Sequence, residues 1–295
     1  MSYVVRGLTQ KGTFRVFAAD TKDIVEEAKN RHGTAPTATA ALGRALTAAA
    51  LLGADLKTGR LMIQINGGGP LGEILAEADA QGNVRGLVQR PHIHLTPQKG
   101  KLLVGQAVGK QGYLSVTRDL GLKEPYQGST QLVSGEIAED LSYYLTVSEQ
   151  IPSAVALGVF VDKDNTVTAA GGFLIQTMPE TTTEEIDRIE KILMDLPPVT
   201  SLLREGLSPE EILKRIFGEE IDIIEKRPLT YKCRCSRERV ERALIALGPE
   251  EIQRLIQRKE PVEITCDFCR QKYTFGTHDL EKLLQQIEFC KRHEI

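Results

Sequence analysis

Cys233-Arg-Cys235 and Cys266-Asp-Phe-Cys269 decide how the C-terminal part of this chain is read. Thirty residues, 236 to 265, separate the two pairs. Soft thiolate sulfurs grouped in a tetrahedron suit one zinc ion above other common metals. The second pair has ordinary zinc-knuckle spacing, whereas the first is tighter than most ligand pairs. Two sulfurs that close along the chain can also reach each other. A Cys-X-Cys disulfide closes a small, strained ring, which makes it labile. Spacing therefore leaves two readings open, an inert structural site of the zinc-ribbon kind and a redox-sensitive clasp. Lys232, Arg234, Arg237, Arg239 and Arg270 would favour anionic sulfur if they face it, and form a solvated surface otherwise.

Working outward, residues 228–295 read as a small zinc-binding domain. Ser236 can cap a helix through Val240, Leu244 and Leu247 that closes at Gly248-Pro249. Val262–Thr265 and Lys272–Phe275 flank the second cysteine pair as a β-hairpin. Thr277 starts a last helix with Leu280, Leu283, Leu284 and Ile287 on one face, and Cys290 continues that stripe as a buried core thiol. With so few large apolar groups the core is thin, so the metal is expected to carry much of the folding energy.

Residues 179–227 read as a helical linker carrying 7 basic and 13 acidic side chains. Thr182-Thr-Glu-Glu185 and Ser208-Pro-Glu-Glu211 have capping-box spacing. Behind them Ile186, Ile189, Leu193, Leu196, Leu202, Leu203, Ile212 and Ile216 supply apolar faces. Helices this short are unstable alone in water, so they must pack on something.

Residues 1–178 read as a mixed α and β core domain, making the whole chain α+β. Val4 to Leu8 and Phe14 to Ala18 pair around Gln10-Lys11-Gly12, and Thr21 caps a helix ending at Gly33. The helix from Pro36 to about Ala54 is apolar nearly all round and is expected to be buried. Leu61–Asn66, Gly82–Gln89, Leu102–Val108 and Tyr113–Thr117 look like strands. A helix over Gly135 to Glu149 and a hairpin over Ala154–Gln176 complete the domain.

The 295 residues, 41% hydrophobic and 26% charged, match a globular protein with no membrane span and no evident signal peptide. Five cysteines, four of them grouped, point to a reducing cytoplasm rather than a disulfide framework. Gly67 to Gly72 matches G-x-G-x-x-G but lacks the following helix and acid, so it reads as a tight turn. His92 and His94 alternate on one stretch without a nearby acid or cysteine and read as surface polar groups. His278 and His293 lie near the cysteine segment, but four thiolates already fill a tetrahedron. No serine-nucleophile or deaminase pattern is present, so the sequence gives no support to an enzyme. The alternative, a zinc-ribbon nucleic-acid binder using Tyr231, Phe268, Tyr273 and Phe275, is disfavoured by the net charge of −3.

Several stretches together resemble the bacterial 33 kDa chaperonin family, the redox-regulated heat-shock holdases. They are Gly67 to Gly72, Gly135-Glu-Ile-Ala-Glu-Asp-Leu141 with Tyr143-Tyr144, Ser148-Glu-Gln150 with Pro152-Ser-Ala-Val155, Gly171-Gly-Phe-Leu-Ile-Gln176 and Cys233-Arg-Cys-Ser-Arg-Glu-Arg239. The resemblance implies an ATP-independent chaperone that is inactive while reduced and zinc-bound. It implies oxidation to Cys233–Cys235 and Cys266–Cys269 disulfides, loss of zinc, disorder of the C-terminal domain and linker, homodimerisation and binding of unfolding client proteins. On that scheme the eight linker residues named above would contribute to the client surface. Cys290 falls outside the family pattern.

Overall fold

The computed structural model describes residues 1–292, with side chains through Phe289. The side chain of Cys290, read as a core thiol, and all of His293 lie outside the described residues. The chain forms two compact units, Met1–Lys232 and Cys233–Ile295.

The first unit begins with β1 (Tyr3–Thr9), β2 (Phe14–Asp20), α1 (Lys22–His32) and α2 (Pro36–Gly53). Then come β3 (Arg60–Asn66), β4 (Ile74–Asp79), β5 (Asn83–Val88), α3 (Val104–Val108), β6 (Tyr113–Asp119) and β7 (Tyr126–Gln131). After α4 (Ala138–Val147) the hairpin β8 (Ser153–Val161) and β9 (Val167–Thr177) leads to α5 (Thr183–Asp195), α6 (Val199–Arg204) and α7 (Pro209–Phe217). Strands β10 (Ile221–Pro228) and β11 (Thr230–Tyr231) close the unit.

Its strands form a five-stranded sheet, β10-β1-β2-β9-β8, and a six-stranded sheet, β11-β5-β4-β3-β6-β7. Helix α2 packs on both, against β3, β4 and β5 on one side and β2, β8 and β9 on the other. That position explains its sequence: every residue except Pro36 and Arg44 is buried. Alanine and glycine let two sheets approach one helix. A Cβ added at Gly43 would lie 2.7 Å from Val25 and from Val159. Arg44 escapes by pairing with Glu136 at 2.5 Å.

The other face of the five-stranded sheet carries α5, α6 and α7. Ile189, Leu202, Ile212 and Ile216 are buried there against Val5, Val16, Ala18, Phe173 and Ile175, and Ile186, Leu193, Leu196 and Leu203 pack at the margin. Both expected capping boxes form, Thr182 with Glu185 and Ser208 with Glu211.

Several local readings change. Residues 221–227, taken as the end of the helical segment, belong to β10, which pairs with β1. Leu102–Val108, read as a strand, contains the short helix α3, because a brief apolar run has no decisive period. Gly105 N donates to Glu136 Oε1 at 3.0 Å, and α3 packs on α2 instead of joining a sheet. Gly67 to Gly72 joins β3 to β4 with no helix after it, so it is the turn expected. His92 Nδ1 meets Gly33 O, at the C-cap of α1, at 3.1 Å, and His94 Nδ1 meets Thr37 Oγ1, in the first turn of α2, at 3.0 Å, so the two rings fasten their loop to these helix ends.

The second unit contains α8 (Arg237–Ala246), α9 (Pro249–Gln257), the hairpin β12 (Val262–Thr265) and β13 (Lys272–Phe275), and α10 (Thr277–Arg292). Pro249 stops α8 and also opens α9, a helix absent from the sequence reading. The buried apolar core is small: Leu244, Ile252, Phe275, Leu280, Leu283 and Ile287.

Candidate metal centre

Cys233 and Cys235 precede α8, whose cap is Ser236, with Arg239 N donating to Ser236 Oγ at 3.3 Å. Cys266 and Cys269 occupy the turn of the β12–β13 hairpin. Cys266 N donates to Gln271 O at 2.9 Å and Arg270 N donates to Cys266 O at 2.8 Å. Arg270 takes a positive φ of 59° to complete that tight turn, a conformation costly for a residue with a Cβ. Capping and hairpin geometry thus bring chain segments thirty residues apart to one point.

The four Sγ atoms all lie within 4.8 Å of one another. Cys233 and Cys266 are 3.8 Å apart, Cys235 and Cys269 3.3 Å. A tetrahedral ion with metal–sulfur bonds of about 2.3 Å sets its sulfurs about 3.8 Å apart, so the spacing fits a tetrathiolate site. Among the described residues this is the one group of side chains arranged to hold a metal. Cys269 is buried and the other three are half-buried.

Burial pushes the Cys266 thiol up, with Cys233 adding to the rise, although N–H groups of Cys269 and Phe268 donate to its sulfur and oppose it. Burial also raises Cys269, reinforced by the neighbouring sulfurs. Thiols so placed ionise together only beside a cation, which is what a soft divalent metal supplies. Tyr273 adds a contact that spacing gave no hint of: its hydroxyl donates to Cys235 Sγ at 3.2 Å. That bond, followed by burial, raises the Tyr273 phenol.

Arg237, considered above as a charge beside the sulfurs, is engaged elsewhere. Its guanidinium stacks 4.4 Å from the Phe275 ring centre, donates to Thr274 O at 3.0 Å and pairs with Asp279 at 3.0 Å. The aromatics available for nucleic acid are largely committed. Phe275 is buried, Tyr273 faces sulfur, and Tyr231 reaches Gly86 O at 3.3 Å under the Arg31 guanidinium.

The family profile described as "Hsp33 protein" matches residues 2–276. The chain belongs to the Hsp33 family. Its curated relatives carry the name 33 kDa chaperonin. That of Geobacter sulfurreducens is 52% identical over 97% of this chain and 95% of its own length. Those of Desulforamulus reducens and Bacillus subtilis are 50% and 48% identical, each over 97% of this chain, covering 98% and 99% of the relative. The crystal structure of the 33 kDa chaperonin (heat shock protein 33 homolog) from Thermotoga maritima superposes with a TM-score of 0.90 at 39% identity, covering 96% of this chain and 98% of that one. The relatives are named as chaperonins, and the mixed α/β fold of this chain matches the solved 33 kDa chaperonin. Among the described residues, no helix is long and apolar enough to cross a membrane.

Proposed function

We propose that this chain is a redox-regulated, ATP-independent holdase. Cys233, Cys235, Cys266 and Cys269 would hold one zinc ion in the reduced, inactive form. The single observation that carries the reading is the convergence of four thiols within 4.8 Å in a unit whose buried apolar core is so small. When bound there, the ion holds the sulfurs anionic and crosslinks both chain segments, which contributes folding energy to the unit.

Oxidation joins Cys233 to Cys235 and Cys266 to Cys269. Each pair of thiolates gives up two electrons to one peroxide, which takes up two protons and leaves as two waters. The metal then has no thiolate ligands, and the small core is too little to keep residues 228–295 ordered. The linker, 179–227, loosens with it. Ile186, Ile189, Leu193, Leu196, Leu202, Leu203, Ile212 and Ile216, together with the sheet they cover, become the surface for unfolding clients. The core domain, 1–178, carries β1, β2, β8 and β9 of that sheet and the contacts of an oxidised homodimer. A reducing cytoplasm is the compartment in which such a switch rests in its off state.

The test treats the reduced protein with peroxide or hypochlorite and follows zinc release and suppression of client aggregation together. Coincident release and holding are expected. Zinc loss without gained holding would overturn the switch.

A further inference from the structure

The charge of this chain is unevenly spread. From Ala80 to Arg118 there is no aspartate or glutamate, while Arg85, Arg90, Lys99, Lys101, Lys110 and Arg118 give that stretch a charge of +6. The rest of the chain therefore carries −9 against the overall −3. Arg85 and Arg118 are spent on Glu77 and Glu149. Arg90, Lys99, Lys101 and Lys110 are exposed and, among the described residues, take no ion pair.

All four stand on the excursion between β5 and β6. Ile74 pairs with Ile65 and Val88, and Asn66 with Tyr113, so loops 67–73 and 89–112 leave one end of the six-stranded sheet. The loops are tied together there. Arg90 N donates to Leu71 O at 3.1 Å, Arg90 Nη1 to Pro70 O at 3.3 Å and Gln111 N to Gly67 O at 2.9 Å. Ile93, Leu95 and Leu102 pack on the main core and hold the excursion down. Its tip is a two-residue turn, closed by Gln98 N to Lys101 O at 3.0 Å and Lys101 N to Gln98 O at 2.9 Å. Lys99 and Gly100 both take positive φ there, 49° and 74°. Asparagine or glycine usually fills the first of these positions, so a lysine accepts a costly conformation to project a cation. A Cβ at Gly100 would meet nothing within 4 Å, which leaves the tip open. Of the carboxylates bordering these loops, Glu136 is neutralised by Arg44, and Glu73, bound to Gln64 Nε2 at 2.6 Å, opposes the four cations.

We infer that this end of the sheet is a contact surface for a phosphate-bearing polyanion chain. Unpaired cations on a fixed loop attract successive phosphates and release the counterions condensed on them. No Phe, Tyr or Trp lies between Arg90 and Lys110, so bases find nothing to stack on along the loop and the contact ignores sequence. The negative charge on the rest of the chain confines the attraction to this end. The surface lies within the first unit, uses none of the aromatics around the cysteines, and needs neither oxidation nor a client.

The test uses the full-length, reduced, metal-loaded protein and two fluorescent probes, an oligouridine RNA and an end-labelled inorganic polyphosphate, read by anisotropy across a salt series. Binding at about 50 mM salt is expected, with a log–log salt slope on the RNA of about −3 for four neutralised phosphates. Lys99→Asn combined with Lys101→Gln is expected to weaken binding roughly tenfold and to halve the slope. Asparagine suits the positive φ of position 99, so the turn is kept. Lys22→Gln combined with Lys57→Gln removes the same charge from exposed lysines outside the excursion and should leave the slope unchanged. Binding of both probes gives the surface to phosphate chains in general, and binding of polyphosphate alone gives it to a chain without sugars. Binding of RNA alone shows recognition of ribose or base and would overturn the phosphate reading. Binding of neither probe, or equal weakening by the two double variants, also overturns it. Oxidant and client are absent throughout, so failure of the redox switch would leave the result standing.

Discussion

Gly158 and Gly171 stand directly opposite each other on β8 and β9 and form the notch that seats α6. A Cβ at Gly158 would lie 2.5 Å from Thr200 Cγ2, and one at Gly171 2.3 Å from Ala19 O on β2 and 2.7 Å from Leu203 Cδ1. The glycine pair sets how closely the linker can approach the sheet. A valine at position 158 is therefore expected to lift α6, with an overpacking cost of about 1–3 kcal/mol. On the proposed mechanism, Gly158→Val gains client holding while still reduced. Light scattering of an aggregating client, beside hydrogen exchange over α5 to α7, checks it. Faster exchange with no gained holding would separate linker release from activity.

The apolar seat itself can be probed at Leu202, which is fully buried. Leu202→Ala is expected to destabilise the seat by about 2–5 kcal/mol. Leu202→Asp goes further. It should loosen the linker in the reduced form and weaken client holding in the oxidised form, because a charge replaces part of the exposed apolar surface. Intact holding by the oxidised aspartate variant would remove Leu202 from the client surface.

Tyr273 donates to Cys235 Sγ and so supports a sulfur without being a ligand. Loss of an outer partner of this kind typically costs about tenfold or more in metal affinity. Tyr273→Phe is expected to lose zinc at a lower chelator concentration than the parent, with the fold intact. Competition against a chromophoric chelator measures the shift.

Metal removal under reducing conditions should act on the two units unequally. Among the described residues the second unit has a core of six buried apolar side chains, whereas the first has two extensive apolar clusters. Chelation is expected to abolish amide protection in α8 to α10 and leave α2 and its flanking strands protected. Hydrogen exchange resolved by segment tests this directly.

Acid should weaken the attachment of α7. Tyr3 Oη donates to Glu210 Oε2 at 2.7 Å, and Lys226 Nζ donates to Oε1 at 2.8 Å. Burial would raise the Glu210 carboxyl, but the bonds from Lys226 and Tyr3 outweigh it and hold the group below its ordinary value of 4.5. A depressed folded value means the stabilisation is present above the unfolded value and lost as pH falls through the folded one. For a partly exposed pair it amounts to about 1 kcal/mol or less. Denaturant midpoints of the parent and Glu210→Gln should differ at neutral pH and converge in strong acid.

Much of the site was legible because thiolate chemistry leaves a local mark. The two short cysteine spacings, the Ser236 cap and the hairpin strands around Cys266 and Cys269 each follow from neighbouring residues. The capping boxes at Thr182 and Ser208 were legible for the same reason, as was burial of the Pro36 helix, whose composition admits no exposed face. Strand β10 was not. Ile221–Pro228 breaks its alternation at Ile223-Ile224 and at Glu225-Lys226-Arg227, and only the edge of β1 gives it a partner. Tyr273 was likewise invisible as a sulfur donor, since cross-strand and cross-motif neighbours have no fixed separation in sequence.

The order of residues alone determined which groups could bind a soft metal, where helices begin, and that the linker helices needed a surface. Tertiary structure decided what that surface is, that α2 lies between two sheets, and that β10 joins the edge of β1. The division is physical. Caps, turns and periodicity are set within a few residues, whereas sheet order and helix seating are set by contacts between segments far apart along the chain.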